Sequence, residues 1–161
     1  MKRIIFLDID GVMASLDFLC NSYHDGVRRD EMPGHGYMDP DKVKLLNRLK
    51  GDGVEILISS SWGTTAIEPL KELGCEIPII GTINHYWQDW ICRGSEIDEY
   101  LVENFGSSTK WGDTPHDVEY VIFDDDADML LGQVNHFIQT NRETALTEED
   151  IEKAKEILKL K

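Results

Sequence analysis

Aspartates recur directly after apolar runs in this chain. Ile4-Ile5-Phe6-Leu7 leads into Asp8-Ile9-Asp10-Gly11, and Tyr120-Val121-Ile122-Phe123 leads into Asp124-Asp125-Asp126, with Asp128 just beyond. Between them, Val54-Glu55-Ile56-Leu57-Ile58 runs into Ser59-Ser60-Ser61-Trp62. Short continuous apolar runs fit strands buried on both faces, and open parallel sheets collect ligands at the carboxyl ends of their strands. If the first and fourth runs are neighbours, their aspartates converge on one small volume. Bare carboxylates at such range repel each other and resist ionisation. A hard divalent cation removes that penalty. Mg²⁺ in particular takes few carboxylates and completes its shell with waters and phosphate oxygens. The two clusters together therefore point to a Mg²⁺ site. Asp128, four residues past Asp124, fits either a metal role or a stabilising acid at a helix N-terminus.

The elements that must hold these residues alternate along the chain. Two further strands are expected at Ile77-Pro78-Ile79-Ile80 and, at a sheet edge, His136-Phe137-Ile138. Asp39-Pro40 opens a helix with proline at its first position, Val43, Leu46 and Leu49 recur at helical spacing, and Gly51 stops it. Thr64 or Thr65 precedes a second helix ended by Gly74, and Ser95 a third with Gly106 beyond it. Thr147-Glu148-Glu149-Asp150 forms a capping box for the last helix, with Leu146 and Ile151 set to staple it. Strands and helices in alternation imply right-handed βαβ units and a three-layer α/β domain around a parallel sheet. One domain over 1–161 accounts for the whole chain, since 161 residues make a single core. Residues 12–38 separate the first strand from its helix and are rich in Gly, Asp, His and Arg. So long a connection reads as a loop forming a flap over the site.

Composition narrows the partners. Sixteen basic residues against 31 acidic ones give a net charge of −15, which does not favour non-specific nucleic-acid binding. Apolar residues are 41% and charged residues 29%, a globular balance. Cys20, Cys75 and Cys92 are scattered and odd in number, which argues for a reducing, cytoplasmic setting and against a disulfide framework or a zinc knuckle. The apolar runs are far shorter than a membrane span, and the N-terminus reaches Asp8 too soon for a signal peptide.

Taken in order, these motifs resemble those of the haloacid dehalogenase-like (HAD) superfamily: an apolar strand with D-x-D-G at residues 8–11, the motif-two hydroxyl at Ser59, the motif-three cation at Arg93 and the acidic motif four at Asp124-Asp125. The resemblance implies a mainly parallel five-stranded sheet in the order 5-4-1-2-3 without a large cap domain. It also implies Asp8 as nucleophile, forming an aspartyl-phosphate, and Asp10 as general acid and then base. Relatives that cleave carbon–halogen bonds do not need that second acid, so Asp10 favours phosphate esters. Mg²⁺ would be held by the Asp8 carboxylate, the Asp10 main-chain carbonyl and Asp124 or Asp125. Ser59 would donate to a phosphoryl oxygen and Arg93 would balance its charge. Ser60 and Ser61 are alternatives to Ser59, because a strand end read from sequence can be off by a residue or two. Gly11 suits a tight turn where a side chain would obstruct the site.

The wording of the motifs is similar, more narrowly, to the HAD modules of multi-domain RNA-repair proteins and to polynucleotide 3′-phosphatases. The residues concerned are Ser59-Ser60-Ser61-Trp62, Arg93-Gly94-Ser95-Glu96-Ile97, Phe123-Asp124-Asp125-Asp126-Ala127-Asp128 and the Gln139-Thr140-Asn141 to Leu146-Thr147 stretch. That similarity implies a phosphorylated polynucleotide end, or a nucleotide, as substrate. Trp62, Tyr86, Trp87 and Trp90 offer stacking surfaces for a base. Arg28 and Arg29, with His24, His35 and Tyr37, offer groups on the flap that can grip a phosphate or sugar. The acidic surface admits a small phosphorylated metabolite more readily. A module that holds Mg²⁺ or accepts phosphate without turnover is the alternative from another class.

Overall fold

A computed structural model describes residues 1–24, 36–83, 91–106, 109 and 117–161. Five strands, β1 (Lys2–Leu7), β2 (Val54–Ile58), β3 (Ile79–Thr82), β4 (Val118–Asp124) and β5 (Phe137–Gln139), form one sheet in the order β3-β2-β1-β4-β5. Every pairing is parallel. This is the order expected, read from the other edge. β1 sits at the centre, with Leu7 beside both Ile58 and Phe123, so the chain leaves β1, β2 and β4 at one common rim.

Alternation along the strands divides the core into two layers. Ile5, Leu7, Ile56, Ile58, Val121 and Phe123 pack on one face against α2 (Pro40–Leu46), α3 (Ile67–Glu72) and α5 (Glu148–Ile157). Ile4, Phe6, Tyr120 and Ile122 pack on the other against Ile97 and Leu101 of α4 (Arg93–Phe105). Burying a large apolar side chain contributes roughly 1.5–3 kcal/mol, so the central strands anchor the rim from which the acids project.

The helix ends follow their local chemistry. The Asp39 side chain accepts from Asp41 N at 2.8 Å, with Pro40 at the first helical position. Thr147 and Asp150 cap each other's main chain at the start of α5, as the capping box requires. Gly106 closes α4 in the left-handed conformation at φ +67°. Several boundaries differ from expectation, among them those of α4 and β3. α4 begins at Arg93 rather than after Ser95, because Asp128 caps it from across the fold. β3 covers Ile79–Thr82 rather than Ile77–Ile80, with the Pro78 carbonyl still accepting from Ile56 N at 2.8 Å.

The 12–38 segment is not an uninterrupted loop. It contains α1 (Leu16–His24), whose start is tied down by Leu16 N to Arg142 O and Asp17 N to Glu143 O. Val12, Met13 and Met38 are fully buried, so the base of the proposed flap belongs to the core. Arg28, Arg29 and His35, like Tyr86, Trp87 and Trp90, lie outside the described residues, as does the side chain of His24. Among the described residues, no helix is long and apolar enough to cross a membrane.

Candidate active site

A cavity of about 300 Å³ opens where β1, β2 and β4 end, lined by Asp8, Asp10, Ser61, Arg93, Glu96, Asp124, Asp125, Asp126, Asp128 and Arg142 among others. Asp8 follows β1 directly, its main-chain N–H still bonded to Phe123 O at 3.0 Å. Asp124 is the last residue of β4. Parallel register therefore brings the two aspartates together. Asp8, Asp124 and Asp125 each present a carboxylate oxygen within 4.8 Å of the other two.

Burial makes this convergence costly. Asp8 is pushed up to about 6 chiefly by desolvation, against the opposing pull of the Ser60 hydroxyl, the Ile9 N–H and the Arg93 charge. Asp124 is pushed up to about 8, again chiefly by desolvation and then by the Asp8 charge, although Asp126 N donates to its Oδ1 at 2.9 Å. Both carboxyls gain by a positive charge between them. The donors are oxygens only, a set that suits a hard cation such as Mg²⁺ and not a thiophilic one. The residues fit that ion.

Asp125 is held differently. Its carboxylate, nearly buried, accepts from Arg142 Nε at 2.6 Å. Gly11 lies against it with φ +72°, and a Cβ at Gly11 would come to 2.5 Å from Asp125 Cγ. The Gly11 position thus needs glycine twice, for the turn and for clearance. Thr140 fastens the same corner, its hydroxyl donating to Gly11 O at 2.7 Å and its N–H to Asp124 O at 3.0 Å.

Arg93 opens α4, and its Nη1 donates to Glu96 Oε2 at 2.6 Å in a largely buried pair. Its charge acts on both Asp8 and Asp124. The helix end that carries it is clamped. Asp128 accepts from Arg93 N through Oδ2 at 2.9 Å and from Gly94 N through its carbonyl at 3.2 Å. Gln133, fully buried, donates to Gly94 O at 2.8 Å. Asp128 therefore serves as a helix N-terminal acid, for α4 rather than for a helix of its own.

The serine run is staggered across the site. Ser59 continues the ladder, its N–H bonded to Leu7 O, and its hydroxyl is buried with no partner among the described residues. The next two residues reach the chemistry: Ser60 bonds to Asp8, and Ser61 lines the cavity. Trp62 turns its indole N–H to Asp10 Oδ2 at 2.9 Å. The sequence reading missed Arg142 and Glu96. Glu96 carries the signal of an acid three residues after Arg93 on a helix. Arg142 carries none, since it reaches Asp125 only through the fold.

A parallel five-stranded α/β sheet with this acidic rim is the architecture of a HAD-superfamily hydrolase domain of the phosphatase class. The chain belongs to the family described as the HAD domain in Swiss Army Knife RNA repair proteins, whose profile matches residues 4–151. No curated protein and no solved structure matches the chain significantly.

Proposed function

We propose that the protein is a Mg²⁺-dependent phosphomonoesterase working through a covalent phosphate on Asp8, with a phosphorylated polynucleotide end or a nucleotide as substrate. The observation that carries this reading is the convergence of Asp8, Asp124 and Asp125 beside Asp10 and Arg93. Mg²⁺, held by Asp8, the Asp10 carbonyl and Asp124 or Asp125, would supply positive charge that lets a phosphate dianion approach an anionic nucleophile. Asp8 attacks phosphorus. Arg93, kept in place by Glu96, balances charge on the phosphoryl oxygens, and Ser60 or Ser61 donates to one of them. Ser59, buried and with its hydroxyl unpartnered among the described residues, is the remaining candidate for that donor. Asp10 protonates the leaving oxygen and later accepts the proton of the attacking water.

The family's link to RNA repair and the absence of a large cap in the length of chain between motifs support a bulky substrate. The acidic rim of Asp126 and Asp128 favours a small one. Phosphate release with Mg²⁺ from 3′-phosphorylated oligonucleotides, 5′-phosphorylated oligonucleotides, mononucleotides and sugar phosphates separates these cases. The polynucleotide reading requires the 3′-phosphorylated oligonucleotide to be the best substrate. If no ester is hydrolysed and Asp8 instead keeps a phosphate for many minutes after exposure to a phosphodonor, the chain is a phospho-accepting module and the phosphatase reading fails.

A further inference from the structure

Trp62 was expected to offer a stacking face to a base, yet its polar edge is already spent inside the site. The indole Nε1–H donates to Asp10 Oδ2 at 2.9 Å. The ring is itself fixed. Thr65 N and Thr65 Oγ1 both donate to the Trp62 carbonyl, at 3.1 and 2.6 Å, locking the turn that presents it. One side of the indole packs on the main core, and Tyr37 meets it edge to face with centroids 5.7 Å apart and planes at 74°. Asp10 by contrast is exposed, with no other hydrogen bond to its carboxylate among the described residues. An exposed Asp side chain rotates freely, whereas a general acid must meet the leaving oxygen at hydrogen-bond range.

We infer that Trp62 is the positioning residue for Asp10. The indole fixes Oδ2 and leaves Oδ1 to carry the proton. This rests on the phosphatase reading and deepens it. As Asp8 bonds to phosphorus, the ester P–O bond breaks, its electron pair stays on the alcohol oxygen, and the Oδ1 proton moves to that oxygen. Water then attacks phosphorus and returns a proton to Oδ1, and the bond between phosphorus and Asp8 breaks to restore the carboxylate. Trp62 thereby sets a specificity in the transfer to Asp8: it matters there for esters whose alcohol cannot depart as an anion, as in a nucleoside 3′-phosphate, and not for esters whose leaving group needs no proton, while the hydrolysis that follows is common to both.

The test measures wild type, Trp62→Phe, Asp10→Asn and the double variant on a 3′-phosphorylated dinucleotide and on 2,4-dinitrophenyl phosphate, both with Mg²⁺. Trp62→Phe keeps a ring against Tyr37 and removes the N–H. Replacing Trp62 with 3-benzothienylalanine removes the N–H with almost no change of shape. Both should lower kcat/KM, which reads the transfer to Asp8, roughly 10–100-fold on the nucleotide ester and less than about twofold on the aryl ester. The Phe change should cost nothing further in the Asp10→Asn background. Equal loss of kcat/KM on both esters with the isosteric replacement, or an undiminished loss in the Asp10→Asn background as a stacking role requires, overturns the inference and leaves the phosphatase reading intact. A wild-type protein inert toward both esters overturns the two together.

Discussion

At the amino ends of the strands, Lys50 meets Glu76 at 2.7 Å, Arg48 meets Glu152 at 2.8 Å and Lys159 pairs with Glu119 around a hollow of about 280 Å³. At the carboxyl ends, Asp8 and Asp124 face each other with Arg93 shared between them and already bonded to Glu96. The acids of the first rim are paired within the protein, and Glu76 and Glu152 are pulled below the usual carboxylate range by Lys50 and Lys155. On the second rim burial drives Asp8 and Asp124 the other way. A chain that can pair its acids at one end and leaves them confronted at the other has there a cluster that could hold a metal ion.

The strongest way to break this contrast is to remove the nucleophile. Asp8→Asn should lower kcat for phosphate release by roughly 10⁴-fold or more, the scale seen when covalent hydrolases lose their nucleophile. The same change relieves Asp124 of a like charge, so the variant should melt higher than wild type in EDTA at pH 8.

The pH dependence sharpens the comparison next. A carboxyl whose folded pKa is raised favours the folded state while protonated and disfavours it once ionised. Without metal, the contribution of Asp8 and Asp124 to stability is therefore largest below pH 4 and is lost as pH rises through about 6 and about 8. Mg²⁺ requires the ionised forms, so its stabilisation should grow over that window. Melting curves at pH 5 and pH 8, with Mg²⁺ and with EDTA, read this directly. Asp124→Asn should flatten the decline and abolish most of the Mg²⁺ gain.

Arg142→Ala probes the one acid of the cluster that has its own cation. It leaves the nearly buried Asp125 carboxylate unpaired, so the metal-free protein should lose more melting temperature than the Mg²⁺-loaded one. A loss equal in both states would mean that Asp125 stays away from the ion. At the far rim, Lys50→Ala removes an exposed pair and should leave the melting temperature nearly unchanged, with Mg²⁺ or without.

Much of this was legible in the sequence where short-range rules act. Continuous apolar runs marked β1, β2 and β4, Pro40 and the Thr147–Asp150 box marked helix starts, and the acids after two strands marked the rim. Sheet order and family came through the resemblance rather than from any spacing. The failures lie where the partner is distant in sequence. Asp128 starts α4 at Arg93 from 35 residues away, and the local sequence marks only Ser95 as a cap. Arg142 reaches Asp125 only because β5 and the turn after it lie beside β4. The serine run was ambiguous by one or two residues, and the step from Ser59 to Ser61 goes from a buried hydroxyl to one that lines the cavity. The helix within 12–38 was missed because its polar composition outweighed the spacing of Leu16 and Leu19.

Phosphate release from a 3′-phosphorylated oligonucleotide, followed for wild type with Mg²⁺, for wild type with EDTA, and for Asp8→Asn with Mg²⁺, bears most directly on the whole account. Turnover should occur in the first case alone. Hydrolysis that persists in EDTA, or in Asp8→Asn, would contradict the claim that the acids at the ends of β1 and β4 form one metal-completed catalytic centre.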